Sequence, residues 1–284
     1  MIDYNLLKNV EIKTLHNAFV NAFSDYQVKI DLPLVKFQNM LTRRGYNPKI
    51  SMGAFDNNEL VGFVLNGLRN YNGKLTAYDV GTGVAGSYRK QGITSNLIKQ
   101  IKALLIESEV SQYQLEVIKT NTSAFELYKK SKFEIVRELE CFKLDKSSFT
   151  ASQIYDVKHI DEIRQSDWKE FCEFWDFNPS WQNSADSINA VHDLFCYSVV
   201  YIDNTLAGYG IIERKTGDIA QIAVNKNFRR KGIAASIIAD LLNNTESDKI
   251  AILNVDSECS SLISFLYEMG FEHHIGQYEM MLTL

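Results

Sequence analysis

The chain has 284 residues, 45% hydrophobic and 23% charged, with a formal net charge of −5, a composition typical of a water-soluble globular protein. That charge argues against a general nucleic-acid binder, whose surface would be basic, and no apolar run has the length of a membrane span or signal segment. Cys141, Cys172, Cys196 and Cys259 form no Cys-x-x-Cys pair, so no metal or redox dithiol is expected and a reduced, cytoplasmic setting fits.

The first helical pattern lies within residues 1–30, where Leu15, Ala18, Phe19, Ala22 and Phe23 share a face. Phe23-Ser24-Asp25-Tyr26 reads as a loop. Asp31 before Leu32-Pro33 starts a second helix with Val35, Phe37, Met40 and Leu41 on its apolar side, and Gly45 is its stop. Residues 50–55 and 60–65 read as strands joined by Asp56-Asn57-Asn58-Glu59. Asn72-Gly73 marks another turn. A strand over 75–84 leads into Val84-Ala85-Gly86-Ser87-Tyr88-Arg89-Lys90-Gln91-Gly92-Ile93-Thr94. Ile93, Leu97, Ile98, Ile101, Leu104 and Leu105 then recur at helical spacing. A strand over 112–118, a helix over 122–130 and closing strands within 134–144 complete the first half.

The polar stretch 145–152 reads as a linker, which divides the chain into modules 1–146 and 153–284. The second module opens on Trp168, Phe171 and Trp175 at helical spacing, with Phe174, Phe177 and Trp181 close by. This aromatic group is either plain core or the wall of an acceptor pocket. Asn178-Pro179-Ser180 breaks the pattern, and Ile188, Val191, Leu194 and Phe195 form another face. Residues 197–202 and 206–212 form a hairpin across Asp203-Asn204-Thr205. A strand over 220–224 then enters Val224-Asn225-Lys226-Asn227-Phe228-Arg229-Arg230-Lys231-Gly232-Ile233-Ala234. A strand over 249–255, a helix over 262–269 and a closing segment over 276–282 follow. His273-His274 reads as a surface pair, with no Cys or carboxylate beside it at a metal-ligand spacing.

The two strand–turn–helix segments carry one physical signature. N–H groups in the first turn of a helix have no intrahelical partner. The helix dipole is positive there, and Arg89, Lys90, Arg229, Arg230 and Lys231 add charge. Gly92 and Gly232 admit a bulky anion close to the backbone. Each segment reads as a cradle for pyrophosphate. A second match sets Leu127-Tyr128 through Phe133 against Leu266-Tyr267 through Phe271. The interval from Arg89 to Arg229 differs by a single position from the interval between Tyr128 and Tyr267. Nearly constant separation indicates a duplicated module.

The pattern resembles the GNAT superfamily of acetyl-CoA-dependent N-acyltransferases. Arg229-x-x-Gly232-x-Ala234 fits its Arg/Gln-x-x-Gly-x-Gly/Ala signature, and Arg89-x-x-Gly92-x-Thr94 departs only at Thr94. The later Asn, Ala, Leu-Tyr and Gly-Phe features are Asn121, Ala124, Leu127-Tyr128 and Phe133 in copy one, with Lys132 in place of Gly. Copy two has Ser260 at the Asn position, then Leu266-Tyr267 and Gly270-Phe271. The resemblance implies a mixed α/β fold of two tandem modules, each a mostly antiparallel twisted sheet flanked by helices. It implies acetyl transfer from acetyl-CoA to a primary amine of a small molecule or a peptide, by direct attack, with no nucleic acid, membrane or metal involved. The implied cofactor-binding set is Val84, Ala85, Arg89, Lys90, Gln91, Gly92, Ile93, Thr94 and Asn121, with Val224, Arg229, Arg230, Lys231, Gly232, Ile233 and Ala234 in the second copy. A backbone N–H near Val84 would stabilise the oxyanion.

Acyl transfer also needs an acid for the leaving thiolate and a base for the amine. The family precedent gives the acid to the Leu-Tyr tyrosine, hence Tyr128 and Tyr267; their other reading is simple packing. Glu116 is a candidate base, with Asp79 on the strand before the cradle as another, and either is open to being a solvated strand residue. Asp218 and Asp256 lie near the corresponding region of copy two, which has no acidic residue at the Glu116 position. Asn121 holds the pantetheine arm or caps the helix. The count of matched roles points to the first module as the catalytic one. Two rivals are a CoA-binding sensor or structural protein with one or both modules silent, and transfer of a longer or aminoacyl-tRNA-borne group.

Overall fold

The computed structural model describes residues 1–25 and 32–284. Tyr26 and Asp31, which the sequence assigns to a loop and a helix start, lie outside the described residues. The elements run β1 (Asp3–Leu6), α1 (Ile12–Ala22), α2 (Leu34–Arg43), β2 (Met52–Asp56), β3 (Glu59–Tyr71), β4 (Lys74–Val84), α3 (Ile93–Glu107), β5 (Gln112–Ile118), α4 (Thr122–Lys130) and β6 (Glu134–Asp145). Then come β7 (Lys158–Ile160), α5 (Trp168–Cys172), α6 (Ala185–Asn189), β8 (Phe195–Ile202), β9 (Thr205–Glu213), β10 (Ile219–Val224), α7 (Ile233–Asn243), β11 (Lys249–Asp256), α8 (Ser260–Glu268) and β12 (Glu272–Thr283). This is the expected mixed α/β class. Two compact units divide it: residues 1–136 with 279–284, and residues 137–278. None of the described helices is long and apolar enough to cross a membrane.

In the first unit the strands run in the order β1-β2-β3-β4-β5. β1 to β4 pair antiparallel, and β4 pairs parallel with β5. The pleat sends alternate β3 residues to opposite faces. Gly62 faces Ile93 of α3, while the next residue, Phe63, stacks on Phe19 of α1 at 5.7 Å. So α1 and α3 cover opposite faces. The α3 stripe read from sequence is buried at Ile93, Leu97, Ile98, Ile101 and Leu105, with Leu104 half-buried. The sequence pattern does not signal β1, which is four residues on the sheet edge, too short to show a period against its flanks. Residues 134–145 hold one strand, β6, where the pattern suggests more than one.

In the second unit β10-β9-β8-β7 form an antiparallel sheet, and β6 pairs antiparallel with β11. The aromatic opening yields only a short helix, α5, because Trp168, Phe171 and Phe174 turn into a core with Tyr209 and Ile211. α7 lies close on β9 at two glycines, Gly208 and Gly210. A Cβ on Gly210 would stand 2.5 Å from Ile237 Cγ2 and 2.8 Å from Leu241 Cδ1. Ile237 Cγ2 is no flexible chain end, so backbone must give way. Gly210→Val should therefore destabilise the second unit by about 1–3 kcal/mol. Urea unfolding followed by tryptophan emission reads this directly, because Trp168, Trp175 and Trp181 all belong to that unit.

Candidate active site: two cradles and two strand clefts

Both cradles have one backbone. Lys90 and Arg230 sit in the left-handed region at φ 61° each. Gly92 and Gly232 follow at φ 77° and 83° and cap α3 and α7, a conformation only glycine adopts without strain. Ile93 and Ile233 bury their side chains at 3% and 1% exposure, so each can meet a ligand only through its backbone. The space over Gly92 is open to 4 Å, whereas a Cβ on Gly232 would lie 2.9 Å from Ile154 Cδ1.

The signature arginines do something the sequence does not disclose. The pattern suggests that they add charge to the cradle, but each guanidinium turns back to hold the turn in place. Arg89 donates from Nε to Val84 O at 3.1 Å, from Nη2 to Ala22 O at 2.9 Å, and to both Asp25 oxygens. Arg229 repeats this with Val224 O at 3.0 Å, Phe174 O at 3.1 Å and Asp176 at 3.0 Å. The cradle charge is left to Lys90 in the first copy and to Arg230 and Lys231 in the second, where Lys231 Nζ lies 5.4 Å over the Phe228 ring. Gln91 bonds back to Ser87 O at 3.1 Å. The Ala85 N–H is taken by Val61 O at 2.8 Å.

Beside each cradle two strands part. β4 and β5 pair only over Thr76–Tyr78 and Gln112–Gln114. β4 carries a bulge at Val80 and β10 one at Ala220, separated by the same interval as the two arginines, and bulges re-aim the neighbouring side chains. At the base of the first cleft Asp79 is buried at 8% exposure. Its Oδ2 accepts from Tyr128 Oη at 3.0 Å and from Thr82 at 2.6 Å. Its Oδ1 is buried with no hydrogen-bond partner among the described residues. Burial pushes the Asp79 carboxyl up to about 6, against the hydrogen bonds from Thr82, Tyr128 and the Gly81 backbone and the charge of Arg44. Glu116 accepts a short hydrogen bond from Tyr78, whose hydroxyl burial holds well above its usual range. Asn121 caps α4 by accepting from Ala124 N at 3.2 Å. Thr94 is half-buried on the first turn of α3.

The same stations in the second unit are apolar or neutral. The helix cap Asn121 corresponds to Cys259, not Ser260, with backbone angles of −84°, 68° and −80°, 68°. Phe133 N bonds Tyr128 O, and Phe271 N bonds Leu266 O. Tyr128 therefore corresponds to Leu266 and not to Tyr267, at the interval that also relates Asn121 to Cys259. One residue along a helix turns a side chain by about 100°. Tyr267 is accordingly 54% exposed, its ring against Phe142 at 5.6 Å. On the same correspondence Asn254 stands for Glu116, and on the strand offset Ile219 stands for Asp79 and Ile222 for Thr82. A single parallel bridge, Asp218 to Ala251, precedes a cleft of about 410 Å³ between β10 and β11. Arg229, Arg230 and residues 232–235 line it at the cradle end, and Phe174, Trp175 and Tyr209 at the other. The buried Asp79–Tyr128 pair lies in the first unit and this cleft in the second. Among the described residues no His, Cys, Asp and Glu cluster could hold a metal.

Asp79 gives this asymmetry a pH signature. A carboxyl raised from 3.8 to about 6 in the folded state favours the protonated form, so its contribution to stability is fullest below its unfolded value and is lost as pH rises through about 6. Asp79→Asn keeps an acceptor for Tyr128 and removes the titration. Between pH 7.5 and 4.5 the wild type should gain about 2 kcal/mol relative to the variant, measured by urea unfolding monitored by circular dichroism.

Known families and structures agree with this architecture. The Acetyltransferase (GNAT) family model matches residues 13–133, and an Acetyltransferase (GNAT) domain model matches residues 181–280. No curated protein matches the chain. Among solved structures, a tandem GNAT protein from the clavulanic acid biosynthesis pathway is 12% identical with a TM-score of 0.75, covering 100% of this chain and 98% of that one. A GCN5-related N-acetyltransferase from Sphaerobacter thermophilus is 12% identical with a TM-score of 0.73, covering 99% and 95%. At these identities the structures speak for the fold. The two family matches, one per cradle and together spanning most of the chain, identify the protein as a tandem member of the GNAT acetyltransferase family.

Proposed function

We propose that the chain is an N-acyltransferase that moves an acetyl group from acetyl-CoA to a primary amine of a small molecule or peptide, with the chemistry in the first unit. The observation that carries this reading is Asp79, a buried carboxylate with one oxygen bonded to Tyr128 and the other without a partner among the described residues, at the point where β4 leaves β5. An orphaned buried oxygen is costly unless a ligand satisfies it.

Acetyl-CoA, when bound, supplies the activated acyl group. The N–H groups that open α3 would hold its pyrophosphate, with Lys90 for charge and open space over Gly92 to admit it. The incoming ammonium loses one proton to solvent, the neutral amine attacks the thioester carbonyl, and Asp79 Oδ1 takes the second proton, which the nitrogen sheds as the amide forms. Tyr128 Oη gives a proton to the leaving sulfur and recovers one from Asp79 through their hydrogen bond. One proton thus passes from amine to thiol, and both residues return to their starting state. A buried carboxyl raised to about 6 suits the task of a base at neutral pH. Glu116 serves this arrangement by fixing Tyr78, the residue next to Asp79. In the second unit Ile219, Asn254 and Leu266 at the matching stations favour binding without turnover.

Tyr128→Phe should lower kcat by about 10²–10⁴-fold and leave acetyl-CoA affinity nearly unchanged, with thiol release measured over a panel of amines. Tyr267→Phe should leave kcat as it is. Normal turnover in Tyr128→Phe would remove it as the acid.

A further inference from the structure

The C-terminus of α2 is seated hard on β3. A Cβ on Gly67 would run into the Arg44 carbonyl, so the close approach needs glycine there. Leu68 N bonds Gly45 O at 3.2 Å, Asn47 N bonds Asn66 O at 2.7 Å, and Arg69 Nη2 donates to Arg43 O at 2.7 Å. Phe37 and Leu41 bury the helix itself. From this fixed base the half-buried Arg44 sends Nη1 to Val80 O at 3.0 Å. Val80 is the bulge residue of β4, next to Asp79 and beyond the last pairing with β5. The charge of Arg44 also acts on the Asp79 carboxyl, holding it lower than burial alone would.

The second unit separates the bulge from the carboxylate. It keeps the bulge, at Ala220, yet Ile219 stands where Asp79 does, and the chain holds neither Lys nor Arg from residue 170 to residue 213. A bulge in this strand therefore forms without a cation from the segments before the hairpin. Arg44 goes with the carboxylate, not with the bulge alone. We infer that Arg44 is a positioning residue for the proposed transfer: anchored on β3, it holds the Val80 carbonyl, and through it the neighbouring Asp79, where β4 leaves β5. The inference rests on the reading of Asp79 as the base. A planar fork on a rigid base fixes a carbonyl better than a flexible ammonium does. The other titratable groups about Asp79 are phenols: Tyr78 beside it on β4, Tyr113 on β5 and Tyr128 on α4. Burial holds Tyr78 and Tyr113 well above their usual range, so they stay uncharged at neutral pH. Glu116 is engaged with Tyr78, and Glu279 with Gln114. β3 sets Asn66 opposite Asp79, and α1 and α3 bury apolar side chains against the sheet. Arg44 is the cation in this set, so its loss should leave Asp79 protonated to higher pH.

Two measurements on the intact chain test this. The first is the midpoint of the Asp79 carboxyl, followed by carbon-13 NMR of protein labelled at the aspartate carboxyl carbons and assigned with Asp79→Asn. Arg44→Met should raise that midpoint by at least about half a pH unit, and Arg44→Gln, which keeps a donor for Val80 O, should raise it too. Arg44→Lys keeps the charge and should leave the midpoint near its wild-type place. The second is acetyl-CoA-dependent thiol release over a panel of amines as a function of pH. In Arg44→Met the acid limb of kcat/KM should move up with the carboxyl. On the alkaline plateau, where charge no longer decides ionisation, kcat should stay lowered about ten- to a hundredfold, since a misplacement of about 1 Å can cost that much. Arg44→Lys should recover the limb and not the plateau, because an ammonium does not reproduce the fork. Acetyl-CoA affinity by calorimetry should be unchanged throughout. A carboxyl midpoint that stays in place in folded Arg44→Met, or in Arg44→Gln should the first not fold, overturns the inference. So does a full wild-type plateau in both variants. An acid limb that survives in Asp79→Asn sinks the reading beneath it instead, while the carboxyl midpoint still decides whether Arg44 acts on Asp79.

Discussion

Two parallel strands that stop pairing govern this molecule. After Tyr78 and Gln114 the backbones of β4 and β5 separate, and an unpaired buried polar group there is costly. The bulge at Val80 relieves part of that demand, since Val80 O accepts from Arg44 at 3.0 Å. The rest is met by side chains that would otherwise have no reason to be buried. Asp79 can sit inside the protein because Thr82 and Tyr128 donate to one of its oxygens. The helix that carries Tyr128 is held in turn by the Asn121 cap. A gap in a sheet thus becomes a place where a proton can be held.

Between the two copies the turn backbone is kept and the buried polar side chains are not. Left-handed angles at Lys90, Gly92, Arg230 and Gly232 match within a few degrees, and both arginines bind the strand end, a carbonyl of an earlier segment and a carboxylate. What binds an anion through main-chain N–H groups survives almost any side-chain change nearby. Proton transfer would need particular atoms, and Asp79, Glu116 and Tyr128 stand opposite Ile219, Asn254 and Leu266. The backbone of the turn and the buried polar set beside it are therefore separable in this fold.

The cradles are legible because glycine, basic residues and a helical apolar stripe are local signals, and their repetition at one fixed interval reinforces each of them. Three things are not legible. The interval between the copies shortens by two positions from the cradle to the last helix, because α7 is 11 residues where α3 is 15 and a longer connection to the next strand offsets part of the loss. Aligning one Leu-Tyr with the other then sets Tyr267 one position out, on the exposed side of α8. The bulge at Val80 shifts the strand alternation, so counting along β4 cannot rank Asp79 above Glu116. The work of Arg89 depends on Asp25, 64 residues earlier, and no local pattern records such a partner.

The assignment of residues 279–284 to the first unit and of 137–145 to the second bears on synthesis. Leu284 N bonds Ser111 O at 3.1 Å, and Glu279 accepts from Gln114 at 2.7 Å. The second of these contacts closes a loop with a sequence separation of 165, a large entropic distance for a folding nucleus to span. On the ribosome, residues 1–136 can form their hairpins and helices as they emerge, but β5 has to wait with an open edge. The first unit to be translated is the last to be finished. Until residues 279–284 are free, that edge stays open to pairing with another copy.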